Sequence, residues 1–331
     1  MKTFFIIVND QAANGKSVST WTEIRQRLDQ RHIAYSFHKT KKTGHARKLT
    51  SRYLAKLNEP EAKETVVMVV GGNGTLTEVL NGIKDTPYDQ TPLAFIPTGE
   101  TNAFAQGIGI ATNPLDALDQ VLSATEPVYY DIGEYHELTH DDHGFFVNDF
   151  GIGLDAFIVS LDAQAHKHKR LQRWLNKMHL KFLAYLVCVF DALLNQEAFA
   201  TTLRIADKYY FYKKVAFINV ANHPIFDNGI VLNPTANAKD HQLDLLIAEN
   251  LNFFKFLLLV ILMYFNKQLK LPYLHHYKSS EIHLIVNSLE FGQIDGEEIG
   301  NKYFDIFFNV TQYPFWMNIS GIELEKRKPA K

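Results

Sequence analysis

One cysteine in 331 residues, Cys188, leaves no partner for an intrachain disulfide and suits a reducing compartment. Residues 182–190 around it are apolar, so a small buried hydrophobe is its expected role. A formal net charge of −2 lacks the basic excess of a general nucleic-acid binder, and no nucleic-acid partner is expected. Long apolar runs are missing too. Residues 4–8 are too few for a signal-peptide core and meet Asn9 and Asp10 at once, so a buried first strand is expected. FFKFLLLVILMYF, residues 253–265, would be about 20 Å long as a helix against a hydrocarbon core of about 30 Å, and Lys255 interrupts it. Apolar almost all the way round, it either packs in a core, the favoured expectation, or rests on a membrane. The chain has no internal repeat, no low-complexity linker and, among its fourteen histidines, no metal-ligand spacing. What remains is a globular composition, 46% hydrophobic and 21% charged, long enough for two domains.

The two halves differ in period. Up to about residue 132, apolar strand-length runs (3–9, 34–37, 65–70, 92–96, 129–132) alternate with helical spacing such as Trp21, Ile24 and Leu28. Further helices are expected over 44–57, over 76–83 and after Asn113-Pro114, where Asn suits the cap and Pro the first helical position. That pattern implies an α/β domain with a mainly parallel sheet covered on both faces. Beyond about residue 133 come short aromatic and β-branched strands at 145–148, 201–206, 215–220, 243–248, 281–286 and 303–308, which suggest an antiparallel sandwich or barrel. Helical stretches at 171–194 and 253–267 interrupt them. The expected division is 1–132 as an α/β nucleotide-binding domain, 133–310 as a β-rich substrate domain, and 311–331 as a segment returning toward the first.

Chemistry concentrates where strand 65–70 runs into GGNGTLTEVLNG, residues 71–82. Gly71, Gly72 and Gly74 let the backbone approach a ligand closely, and successive amides leading into a helix make an anion nest. The string is neither GxGxxG, since the third glycine is missing, nor a Walker loop, since no GK[ST] follows. Taken alone it is also compatible with a tight turn that binds nothing. Strand 93–96 ends in a second such turn, PTGETNAFA at residues 97–105, and in a parallel sheet both open on one edge.

These two strings resemble the diacylglycerol-kinase catalytic family of lipid kinases, which includes bacterial diacylglycerol kinases and the related sphingosine kinases and usually reads GGDGTxxEVxNG and PxGTxNDFA. The resemblance continues in order through NGK (14–16), TKKTGHA (40–46), YYDIGEY (129–135), FVNDFGIGLDA (146–156), NPTANAKDHQLDLLI (233–247) and IDGEE (294–298). It implies an ATP-binding first domain, a β-rich second domain and a cleft between. The resemblance implies nucleotide contacts at Thr40, at Gly71, Gly72, Asn73, Gly74, Thr75, Leu76 and Thr77, and at Glu100, Thr101 and Asn102. It implies a structural Mg²⁺ at Asp240 with carbonyls near Asn237 and Gln242. It gives Asp295 as general base, with Glu297 beside it. On residue chemistry alone Asp295-Gly296 is also an ordinary hairpin turn, Thr75 and Thr77 suit a helix start, and Asp240 suits a solvated turn.

Departures cluster at the phosphate edge. Asn73 stands for Asp, Glu100 for Thr, Ala103 for Asp and His241 for Gly, and a three-glycine turn is reduced to Asp-Asn-Gly at 227–229. Glu100 could restore the charge that Asn73 lacks. The expected function is an ATP- and Mg²⁺-dependent lipid kinase acting on diacylglycerol or a similar long-chain alcohol. The alternatives are a catalytically impaired nucleotide- or lipid-binding relative, or an NAD kinase. HKHKR at 166–170, with Arg173, Lys177 and Lys181 beyond, suits an anionic bilayer and equally a solvated face. The implied setting is cytoplasmic, peripheral at a membrane surface where the lipid lies, with a homodimer left open.

Overall fold

The structure, a computed structural model, describes residues 2–9, 17–99, 101–154, 156, 197–226 and 230–319. The expectations at 14–16, Glu100, 157–196 (with Cys188 and the basic stretch) and 227–229 lie outside these residues.

An N-terminal mixed α/β domain is followed by a C-terminal antiparallel β-sandwich or barrel domain. Four strands, β1 (Thr3–Val8), β2 (Tyr35–Lys39), β3 (Thr65–Gly71) and β4 (Leu93–Pro97), pair in parallel in the order β4-β3-β1-β2. Every residue of β3 and β4 is buried, as strands covered on both faces require. The first helices are α1 (Ser17–Gln30), α2 (His45–Leu54) and α3 (Glu59–Glu64). After β3 come α4 (Asn73–Lys84), α5 (Ala103–Ile108) and α6 (Pro114–Leu122). Local chemistry sets their starts. Asn113 Oδ1 accepts the amides of Leu115 and Asp116 ahead of Pro114. Asn58 and Glu61 form a reciprocal capping box.

The second half contains β5 (Val128–Glu137), β6 (Asp142–Phe146), β7 (Asp149–Gly153), β8 (Phe199–Ile205) and β9 (Lys208–Ala221). It continues through β10 (Leu243–Glu249), β11 (Leu274–Ser279), β12 (Glu281–Ile294) and β13 (Glu297–Phe315). β7 and β8 each pair with both β9 and β12, so these four strands close on themselves. Phe150, Leu203, Ile218, Leu284 and Phe308 fill the enclosed core. Most strands here outrun their expected bounds. β5 continues from 132 through 133 to Glu137, and β13 pairs with β12, then with β5, and at Phe315 with Leu93 of β4. One sheet therefore passes through both halves.

The apolar helix α7 (Phe253–Tyr264) corrects the expectation of core packing. Only Phe256 and Leu259 are buried in it, while Phe254 is 80% and Tyr264 85% exposed, with Leu258, Ile261 and Phe265 also open. The buried side meets Phe217, Leu246 and Ala248 on the sheet. A helix apolar all round has no polar face to set its orientation, so composition did not reveal how little of it the sheet covers. No helix among the described residues is long and apolar enough to cross a membrane.

Candidate active site

The two glycine turns meet. A methyl at Gly99 would lie 2.7 Å from Gly72 Cα, and the Thr98 amide donates to Gly71 O at 2.8 Å. A backbone this close leaves no room for a side chain at position 99. Helix α4 starts at Asn73 with Gly72 as its cap and no side-chain cap hydrogen bond, so its first-turn amides point toward the shared edge unclaimed by a cap. Asn73 Oδ1 and Thr98 Oγ1, on the two facing turns, are buried without a hydrogen-bond partner. Phosphate oxygens accept, so the uncapped amides and the Thr98 hydroxyl are groups a polyphosphate would satisfy, whereas Asn73 Oδ1, an acceptor, calls for a cation or donor beside it. The turns fit a nucleotide on that basis.

The other expected nucleotide contacts divide. Thr101 and Asn102 lie two and three residues after Gly99; Asn102 has φ 46° and closes its turn by exchanging two hydrogen bonds with the Gly99 backbone. Thr40 sits at the end of β2, its amide on Val8 O, two strands across the sheet from Gly71. Thr75 Oγ1 accepts from Asn9 Nδ2 at 3.0 Å. Leu76 is buried and its amide donates to Gly72 O, so it packs the helix and does not face a ligand. Thr77 Oγ1 donates to Asp295, so its proton is committed within the protein.

That contact ties the halves together. Asp295 and Gly296, with φ 52° and 85°, are the two-residue loop between β12 and β13, flanked by the pair Ile294 and Glu297. The hairpin turn and the buried acid are thus one feature. Asp295 is 4% exposed and accepts four donors: Thr77 Oγ1, and the amides of Val147 (2.9 Å), Asn148 (2.6 Å) and Asp149 (3.1 Å). Burial raises its pKa, and these hydrogen bonds oppose the rise. Glu297 differs. The residue is exposed, its carboxylate makes no hydrogen bond among the described residues, and it lies over Gly74, where a methyl would meet Cδ and Cγ at 2.9 Å. Exposed as a residue, Glu297 still has its carboxyl end packed over Gly74, and that local desolvation, then the charges of Glu78 and Asp295, raise its pKa above the ordinary glutamate value.

Three side chains that sequence reasoning did not single out position these groups. Glu78 accepts the amides of Gly44 (2.6 Å) and Ala46 (2.9 Å), fixing the start of α2 to α4. Asn81 exchanges hydrogen bonds with the Phe145 backbone in both directions at 2.9 Å, joining α4 to β6. Asn222 donates to Asp131 O at 2.7 Å and to Val147 O at 3.0 Å. His223 is buried against Asn148 and neutral, its pKa pushed down to about 3 by burial.

The turn over residues 235–242 does not fit the implied ion. Asn237 O accepts the amides of Lys239 (2.7 Å) and Asp240 (3.2 Å). Asp240 Oδ1 accepts the Gln242 amide at 3.2 Å, and its Oδ2 accepts Lys278 Nζ at 2.7 Å. His241 takes φ 59°, a left-handed position in which Gly would be unstrained. It is held there by Asp131, which accepts its amide at 2.7 Å and Nδ1 at 2.9 Å. No cluster of three or more His, Cys, Asp or Glu side chains suited to a metal occurs among the described residues.

Residues 3–134 match the diacylglycerol kinase catalytic domain, and residues 157–307 match the YegS C-terminal NAD kinase beta sandwich-like domain. Among curated proteins, "Putative lipid kinase YtlR" of Bacillus subtilis (strain 168) is 29% identical over 307 residues, spanning 92% of this chain and 96% of that one. A protein named diacylglycerol kinase from Staphylococcus saprophyticus is 24% identical over 309 residues, 93% of this chain and 92% of its own. A crystal structure titled as a diacylglycerol kinase from Bacillus anthracis str. Sterne superposes with a TM-score of 0.66 over 97% of this chain and 98% of that chain. At 18% identity it bears on the fold alone.

Proposed function

We propose, from the match of residues 3–134 to the diacylglycerol kinase catalytic domain and of residues 157–307 to the YegS C-terminal NAD kinase beta sandwich-like domain, that the chain transfers the γ-phosphoryl group of ATP to the hydroxyl of diacylglycerol or a similar long-chain lipid alcohol. The observation that carries the reading is the carboxylate of Glu297 lying over Gly74, at the start of the helix whose amides face the nucleotide edge. Phosphoryl transfer asks for positioning, charge stabilisation and an oriented nucleophile. The amides of residues 72–75, with the Thr98 hydroxyl, donate to the phosphates and orient them. The acceptor oxygen bonds to the γ-phosphorus as the bond to the β-phosphate oxygen breaks, ADP leaves, and the acceptor proton passes to Glu297.

This assigns the proton to Glu297 and not to the expected Asp295. A carboxylate has about four lone-pair sites, and Asp295 uses them on four donors. It holds α4 to the hairpin that carries Glu297. On the lipid side, α7 offers exposed aromatic and aliphatic residues with Lys255 along it and Lys267 and Lys270 just beyond, chemistry suited to an anionic bilayer. The deciding experiment supplies labelled ATP and Mg²⁺ with a panel of diacylglycerols, sphingoid bases and other long-chain alcohols, and identifies products by mass. A phosphorylated lipid is expected. Turnover of NAD with every lipid ignored would refute the reading, and nucleotide binding without any product would favour the impaired relative suggested by Asn73 and Ala103.

The raised pKa of Glu297 sets a pH dependence. The base acts only when ionised, so kcat/KM should rise with pH through an inflection above the usual glutamate value of about 4.3. Glu78→Gln removes the largest neighbouring charge and should move the inflection down. A profile without an acid limb, or one that Glu78→Gln leaves in place, would take the proton away from Glu297.

A further inference from the structure

The turn that should hold a divalent ion already holds a cation of the chain's own. Lys278 Nζ lies 2.7 Å from Asp240 Oδ2, 2.8 Å from Thr235 O and 3.3 Å from Asp244 Oδ2. An ammonium has three donors in tetrahedral directions and no acceptor; here three oxygens, two of them carboxylate, surround it. We propose that Lys278 is a built-in replacement for the structural Mg²⁺ that the resemblance implies at Asp240, so that the turn over residues 235–242 is held without any divalent ion.

Three further observations carry the argument. First, Lys278 on β11 stands directly opposite Asp244 on β10, so strand pairing delivers the ammonium to the turn. Second, Asp244 is fully buried. Its Oδ1 accepts Thr235 Oγ1 at 2.6 Å and contacts His276 Nε2 at 2.7 Å, while its Oδ2 has no hydrogen bond among the described residues and lies 3.3 Å from Lys278 Nζ. A buried carboxylate in that condition needs a charge beside it. Third, the carbonyl expected as an ion ligand, Asn237 O, is taken by two amides. A hard cation needs six or more free oxygens around it, and a divalent ion placed here would sit against the ammonium.

The role is more than local. The turn's next residue, His241, is bound by Asp131, whose backbone oxygen Asn222 joins to Val147, and the Val147 amide donates to Asp295. The cation at this turn therefore anchors one end of a hydrogen-bonded chain that reaches the buried acid beneath the catalytic hairpin.

The test needs no turnover and is run on the full chain without nucleotide. Chelated wild type is compared in EDTA and in millimolar Mg²⁺ or Mn²⁺, reading Tm and the Mn²⁺ bound per chain, counting only ions that Asp240→Asn removes. Wild type should bind none and shift by less than about 1 °C. Lys278→Ala should lose stability in EDTA, then bind about one Mn²⁺ per chain and regain about 3 °C or more with metal. If Lys278→Ala is unfolded in EDTA, the same variant refolded with metal should recover native circular dichroism. A stoichiometric Mn²⁺ in wild type, a variant whose Tm ignores metal, or a variant that stays unfolded with metal would each overturn the proposal.

Discussion

Glu297→Gln should lower kcat about 10²–10⁴-fold, the range expected when a positioned proton acceptor is removed. Tm and the dissociation constant for MgATP should change little. The carboxylate makes no hydrogen bond among the described residues, so an amide of the same shape leaves no partner stranded. A parallel loss of nucleotide affinity would mean that Glu297 helps hold phosphate or its cation. Undiminished kcat would leave the reaction without the acceptor assigned to it.

Asp295→Asn should fail differently, losing stability and activity together. Asn tolerates the left-handed turn that Asp295 occupies, so the hairpin itself is not the casualty. The new NH₂ group faces donors on every side: three amides and the Thr77 hydroxyl. Setting donor against donor at a buried site and removing its charge costs about 3–5 kcal/mol, or roughly 5–10 °C in Tm for a chain of this size. Circular dichroism melts beside initial rates distinguish the two variants. If Asp295→Asn keeps its Tm and loses only rate, Asp295 is a proton acceptor after all and the assignment to Glu297 reverses.

The parallel sheet and the glycine turns were legible because their signals are local. TVVMVV running into GGNG carries its own period and its own turn, and the strand-end rule puts both phosphate turns on one edge. The acid at 295 was legible only in part. Asp-Gly is a hairpin signal and IDGEE a family signature, but the partners that saturate the carboxylate lie at Thr77 and at 147–149, far off in sequence. The cation at Lys278 was hidden for the same reason, since it meets Asp240 only through the pairing of β10 with β11, and β11 was not expected at all. His241 looked like a lost glycine. Its left-handed backbone explains why Gly is usual there, and Asp131 explains why His is tolerated. For α7, hydropathy gave the helix and not its depth, because burial depends on how much sheet remains to cover it.

The strand β13 also governs when the protein can take shape during its synthesis. It completes the sheet of the first half, pairing along β5 and meeting Leu93 of β4, and Trp316 just beyond it donates its amide to Leu93 O. Tyr313 and Phe315 lie fully buried in the same core as Val67 and Phe95. A ribosome adding about 5–20 residues per second finishes β4 on the order of ten seconds or more before β13 emerges. Through that interval the nascent first half has an open β4 edge and an unfilled core. The α/β half is made well before β13 and is among the last parts of the chain able to close.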